Sequence, residues 1–71
     1  MKTKTRVQIA REASTKTQKQ VASEIGVAEQ QYQRYEYGEH IPNAITAQRM
    51  ASALGTTVGE LFPVGDVTDS A

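Results

Sequence analysis

The segment from Thr17 to Gly38 constrains this chain more than any other. It sets two short helical patterns on either side of Gly26 and closes the second with Gly38. Thr17 and Gln20 stand at the spacing of a capping box, in which the hydroxyl takes a backbone amide and the glutamine reaches back. Val21, Ala22 and Ile25 then form an apolar stripe at helical spacing. Gly26 ends the stripe, because glycine takes the left-handed backbone conformation at little cost. A second helix follows over about residues 28–37. At about 100° per residue, Ala28, Tyr32 and Tyr35 share one side. Gln30, Gln33, Arg34 and Tyr37 cluster opposite, Glu29 and Glu36 lie on one flank, and Gln31 lies on the other. The first helix carries a buried stripe. The second carries a core stripe on one side and amides with a guanidinium on the other.

The remaining signals are also helical, and no run alternates with strand period. A helix fits about residues 5–14, with Val7 and Ala10 on one face and Arg11 following Val7 at i+4. Glu39 to Pro42 reads as a loop with Ile41 turned inward. Asn43 caps a helix to about Leu54, with inner positions Ala44, Ala47, Met50, Ala51 and Leu54, and Gly55 ends it. Thr57-Val58-Gly59-Glu60 offers a second capping box for a short last helix, with Val58, Leu61 and Phe62 as its apolar contacts and Pro63 as its stop. The expected organisation is all-α: a basic arm over residues 1–6, a helical domain over 7–62 and an acidic, flexible tail over 63–71.

Seventy-one residues make one small domain with a limited core. There is no cysteine, so neither a disulfide nor a thiolate metal site is available. The single histidine, His40, cannot build a zinc site alone. No metal, cofactor or small-molecule ligand is therefore expected. No apolar run approaches the roughly 18 residues of a membrane span, and no secretory signal is visible, so a soluble cytoplasmic protein with no membrane partner is expected. No Ser/His/Asp set, phosphate-cradling glycine loop or metal cluster points to an enzyme. Net charge is zero, but Lys2, Lys4, Arg6, Arg11, Lys16 and Lys19 all fall in the first twenty residues, against Glu12 alone. Such asymmetry can make one face positive. Charge alone leaves a solvated basic arm as an equal alternative.

Two short helices, a glycine turn and a polar outward face describe a helix-turn-helix. With Arg11, Thr17-Gln18, Val21-Ala22, Ile25-Gly26-Val27, Arg34-Tyr35-Glu36, Gly38, Pro42, Met50-Ala51, Leu54-Gly55 and Glu60-Leu61-Phe62 in order, the chain resembles the Cro/C1-type (XRE-family) helix-turn-helix domain of phage repressors and bacterial regulators. The resemblance spans about Val7 to Phe62. It implies a compact five-helix bundle of the phage-repressor DNA-binding type, with the helix-turn-helix at helices 2 and 3. It also implies a buried ion pair between Arg11 and Glu36, and double-stranded DNA as partner. The base-reading positions it implies are Glu29, Gln30 and Arg34, and the helical wheel adds Gln33. Glutamine can bond adenine twice, arginine can do so to guanine, and glutamate can accept from the cytosine amino group. Gln18 matches a phosphate-bonding position, Lys16 and Lys19 are the charges beside it, and Tyr37 is within reach of a phosphate or a thymine methyl. Lys2, Lys4 and Arg6 would lie along the duplex. A homodimer through the helix 5 region, with Val58, Phe62 and neighbours at the contact, would let two recognition helices meet successive groove faces, the competing use of these side chains being the chain's own core, which is the one expected for Leu61.

Three positions depart from the family pattern. Ala28 stands where serine or threonine usually caps the recognition helix, Lys16 where leucine is common, and Glu39 in a loop that often carries basic residues. These changes predict weaker backbone binding, not a different fold. The function expected is a sequence-specific regulator, a repressor of phage or mobile-element type. Two alternatives stay open. One is an antitoxin that holds a toxin through the tail at Asp66 and Asp69. The other is a protein-interaction module that kept the fold and lost the DNA, for which Glu29, Glu39 and the zero net charge speak.

Overall fold

Every helix of the structure starts where the sequence supplies a cap or a turn. In the computed structural model, which describes residues 4–62, the order is α1 Arg6–Ala13, α2 Gln18–Ile25, α3 Glu29–Glu36, α4 Ala44–Leu54 and α5 Val58–Leu61. There is no strand among the described residues. Thr5, Thr17, Asn43 and Thr57 each accept a hydrogen bond from a backbone amide of the helix they precede. Each such cap contributes about 0.5–2 kcal/mol. The reciprocal bond of a full capping box forms at Thr17, where Gln20 Oε1 accepts from the Thr17 amide at 2.8 Å. Only α3 begins without a side-chain cap, at Ala28.

The turn between α2 and α3 depends on Gly26 at φ 80°. From that conformation the Val27 amide donates to Ala22 O at 3.0 Å and the Gly26 amide to Ser23 O at 3.2 Å, which satisfies the last carbonyls of α2. The same arrangement closes α3 at Gly38, where the Glu39 amide donates to Arg34 O at 2.9 Å.

The core is shared by all five helices: Val7 from α1, Val21, Ala22 and Ile25 from α2, Tyr32 from α3, Met50, Ala51 and Leu54 from α4, and Leu61 from α5. Burying each of the larger aliphatic side chains contributes about 1.5–3 kcal/mol. Helix α2 packs against both α3 and α4, while α1 packs against α3 and α5. Ala10, Val27, Tyr35, Ala53, Val58 and Phe62 close over this core from the rim.

The structure corrects four local expectations. Ile41 is 73 % exposed instead of inward, and Pro42 beside it is buried in its place. Ala44 and Ala28 are exposed, because each lies at a helix start, outside the region where the elements meet. Helix α1 begins at Arg6, in keeping with the start expected near residue 5, and the residues before it are held to the domain. Thr5 caps the helix and donates its hydroxyl to Glu36 O, and Lys4 Nζ pairs with Glu12 Oε1 at 2.6 Å. At Thr57 the cap is one-sided, since the Glu60 amide donates to Thr57 Oγ1 without a reciprocal bond. Lys2 and the acidic tail with Asp66 and Asp69 lie outside the described residues.

Among the described residues one charged side chain sits wholly inside this small domain. Glu36 is 0 % exposed, and its carboxylate is surrounded by donors. Arg11 Nε donates to Oε1 at 2.6 Å, Tyr32 OH to Oε1 at 2.8 Å and Gln18 Nε2 to Oε2 at 2.9 Å. Arg11 also donates from Nη1 to Lys16 O at 3.0 Å, which ties the loop between α1 and α2 into the same cluster. The hydrogen bond to Glu36 raises the Arg11 guanidinium above its usual range, against the opposing effect of its burial. Burial, followed by the bond to Glu36, pushes the Tyr32 phenol well above its ordinary 10.0.

Removing one partner of a buried pair leaves an uncompensated charge, which costs about 3–5 kcal/mol. Arg11→Ala is therefore expected to lose about that much in urea unfolding; a loss no larger than that of an average surface substitution contradicts the pairing. Tyr32→Phe is expected to cost about 1–3 kcal/mol near neutrality, by removing a donor from a buried carboxylate. The folded state favours the neutral phenol, so Tyr32's contribution is whole below pH 10.0 and is lost as pH rises above it. In that range the unfolded chain releases a proton that the native state keeps, at up to about 1.4 kcal/mol per pH unit. The stability gap between the parent protein and Tyr32→Phe should thus narrow above about pH 10, and a gap that widens there would contradict the assigned direction.

Candidate nucleic-acid interface

Helix α3 is held by two side chains, and they decide what its other side presents. Tyr32 and Glu36 are both 0 % exposed and lie one turn apart on the inward side. The opposite residues are thereby turned out: Gln30, Arg34 and Tyr37 are exposed and Gln33 is half-buried, while Glu29, on the flank it shares with Glu36, is exposed at the start of the helix. Gln30, Gln33, Arg34, Tyr37 and Glu39 border one shallow polar depression. Among the described residues, the side chains of Glu29, Gln30 and Arg34 make no hydrogen bond. Their donors and acceptors face solvent.

Two members of the polar side are engaged within the protein. Gln33 Nε2 donates to Gln18 Oε1 at 3.1 Å. Gln18, the first residue of α2, sends Nε2 both to Glu36 Oε2 at 2.9 Å and to Tyr37 OH at 2.8 Å. One amide thus links the start of α2 to the last turn of α3. Tyr37 itself remains 49 % exposed. Periodicity could not reveal this network, because it joins residues 15, 18 and 19 positions apart. The other flank of α3 is covered in a way the sequence also left unread. Gln31 Nε2 lies 3.0 Å from His40 Nδ1, and the His40 ring sits 5.7 Å from that of Tyr35.

The lysines divide. Lys19 is exposed on α2 and makes no ion pair among the described residues. Lys16, expected beside it, is turned away. Its ammonium meets Glu24 Oε1 at 2.8 Å and Ala53 O at 2.7 Å, in a hollow shared with Arg49 and Ser52 between α2 and α4. The Ala53 carbonyl is in the last turn of α4, where it has no partner within the helix, and a cation near that end is favoured. Lys16 therefore serves the packing of α4 and does not join the polar side of α3. Of the side chains weighed for the subunit contact, Leu61 is 4 % exposed within its own core, while Val58 and Phe62 are half-buried against it.

The polar side of α3 is mixed in sign, with Arg34 and Glu39 at one depression and Glu29 exposed at the helix start. Its chemistry is directional hydrogen bonding from amide and guanidinium groups on a rigid helix, not a broad positive field. A helix of this kind fits the width of a duplex major groove, whose base edges display donors and acceptors in patterns that amides and guanidinium groups can match.

Comparison with known proteins bears on the family and the fold. Residues 7–61 match the helix-turn-helix family model. The chain is 41 % identical over 61 residues to the cryptic phage CTXphi transcriptional repressor RstR of Vibrio cholerae. That alignment covers 86 % of this chain and 54 % of the relative, so the chain spans about half of that protein's length. Among solved structures, the DNA-binding domain of the P22 c2 repressor superposes with a TM-score of 0.77 at 22 % identity, covering 100 % of this chain and 96 % of that one. ComR from S. thermophilus, solved in complex with DNA and its signalling peptide ComS, matches with a TM-score of 0.70 at 24 % identity, over 92 % of this chain and 22 % of that one. At these identities the two structures speak for the fold alone.

Proposed function

Because this chain belongs to the Cro/C1-type helix-turn-helix family, we propose that it is a sequence-specific double-stranded DNA-binding transcriptional regulator, a repressor of phage or mobile-element type. One observation carries the proposal: Tyr32 and Glu36 anchor α3 so that Gln30 and Arg34 project from its outer side, with Glu29 exposed at its start, all three with unused hydrogen-bonding groups. In this reading residues 7–62 form the DNA-binding unit, and α3 lies in the major groove. Arg34 reads guanine, Gln30 and Gln33 read adenine, and Glu29 accepts from cytosine or excludes sequences that offer no donor. Lys19 and Tyr37 face the phosphates. The repressor assignment follows the relative in Vibrio cholerae. A homodimer through the α5 region, using Val58 and Phe62, would set two copies of α3 about one helical turn of DNA apart.

The exposed Glu29 and Glu39 favour one competing reading, a protein-interaction module that no longer binds DNA. Selection from a random duplex pool, followed by salt titration of the preferred sequence, separates the two. A regulator returns a consensus and a linear fall of log K with log salt, and a protein module returns no enrichment.

Within the DNA-binding reading the side chains have distinct signatures. Arg34→Ala should relax preference at one base pair by about 1–3 kcal/mol. Lys19→Ala should weaken all duplexes alike and reduce the salt slope by about one. Lys16→Ala should leave the slope unchanged, since its charge is spent on Glu24 and the end of α4. Equal losses from Arg34→Ala and Lys19→Ala on every sequence would undo this division of roles.

A further inference from the structure

The Gln18 amide sits between the buried charge and the outer side of α3, and its bonding is saturated in a way that fixes the polarity of its neighbours. An amide nitrogen has two protons. Here one goes to Glu36 Oε2 at 2.9 Å and the other to Tyr37 OH at 2.8 Å. The reverse orientation would set the amide oxygen against a fully buried carboxylate, acceptor against acceptor, with no water to intervene. The carboxylate therefore dictates which end of Gln18 faces inward. Gln18 Oε1 is then left towards α3, where it accepts from Gln33 Nε2 at 3.1 Å.

The consequence reaches the surface at two places. The Tyr37 hydroxyl accepts from Gln18, so its own proton remains to be donated, and the side chain is 49 % exposed. Gln33 has one N–H committed, which leaves its Oε1 and second N–H for another partner. A phosphate oxygen only accepts. Tyr37 can satisfy it, whereas Gln18 has no proton left to give. An adenine edge offers the N6 donor and the N7 acceptor, the complement of what Gln33 retains.

We infer that Gln18 is a positioning residue and not itself a DNA contact: it carries the donor–acceptor polarity of the Arg11–Glu36 pair outward, so that Tyr37 donates to a backbone phosphate and Gln33 presents an oriented amide to adenine. This deepens the proposed function and rests on it, since it requires the outer side of α3 to enter a duplex. It also moves the phosphate contact implied for Gln18 by the family resemblance onto Tyr37.

The test uses the duplex selected from a random pool and a mutant cycle over Gln18→Leu, Gln33→Ala and Tyr37→Phe, with each variant's fold checked by circular dichroism. Tyr37→Phe should lower affinity about tenfold on every duplex and leave the salt slope unchanged, because a neutral hydroxyl releases no counterion. Gln33→Ala should abolish preference at one adenine. Gln18→Leu should show both defects, yet add less than about twofold to a protein already carrying Tyr37→Phe and Gln33→Ala. Losses that multiply across the triple variant would put Gln18 on the DNA and overturn the inference. Tyr37→Phe leaves every donor to Glu36 in place, so a variant that binds as tightly as the parent overturns the inference even if Gln18→Leu does not fold. Neutral methylphosphonate placed at single phosphates should then reveal one position that costs the parent protein about tenfold and the Tyr37→Phe variant nothing. If the parent binds specifically and no such position exists, the inference alone fails; if no duplex is preferred, the proposed function fails and takes the inference with it.

Discussion

A single buried carboxylate organises this domain. Glu36 is shut off from water, and a charge in that setting is tolerable only if its oxygens are fully bonded. The donors come from three different helices: Arg11 from α1, Gln18 from α2 and Tyr32 from α3 itself. Thr5, the cap of α1, donates to the Glu36 backbone carbonyl, and Arg11 reaches on to Lys16 O. Satisfying this one group therefore fixes how α1, α2 and α3 meet. A buried ion pair is weak evidence of net stability against an apolar replacement, but breaking it is expensive. Its effect here is to penalise any arrangement in which these three helices shift relative to one another.

That constraint matters because α3 would be a poor helix alone. It is eight residues long, starts without a side-chain cap and is polar over most of its circumference. Isolated helices of this length are not stable in water. Tyr32 in the core and Glu36 in the charged cluster hold it, and the Gly38 turn satisfies its last carbonyls. The element whose outer side carries the proposed recognition chemistry is thus a rigid element by virtue of its inner side. A rigid support fixes the backbone positions from which these groups reach, which favours discrimination between closely similar partners.

The charge distribution has a matching logic. The early run of lysines and arginines suggested a positive face, yet folding spends much of it. Arg11 neutralises Glu36, Lys4 pairs with Glu12, and Lys16 is held by Glu24 and the end of α4. Arg34 remains beside Glu39 on the polar side of α3, and Lys19 is exposed on α2. In the proposed function such a surface relies on matched hydrogen bonds more than on attraction to phosphates, and its acidic members act against sequences that cannot supply a donor.

The identity and order of the helices were legible from local signals alone. Thr17 with Gln20, Asn43, and the glycines at 26, 38 and 55 mark boundaries through interactions only a few residues long, and the stripe of Val21, Ala22 and Ile25 follows from helical period. The outward positions of Gln30, Arg34 and Tyr37 were legible for the same reason, since the angle around a helix is a function of residue number, whereas Glu29 entered through the family resemblance, the wheel setting it on the flank of Glu36. Tertiary packing decided what those rules do not reach. Ile41 went out and Pro42 in, because burial in a loop depends on what the loop lies against. Lys16 was drawn to a carbonyl of α4 that is 37 residues distant in the chain. Gln18, Gln33 and Tyr37 became one network because α2 and α3 cross beside a buried charge, and the direction in which an amide points is set by its surroundings and not by its place in the sequence.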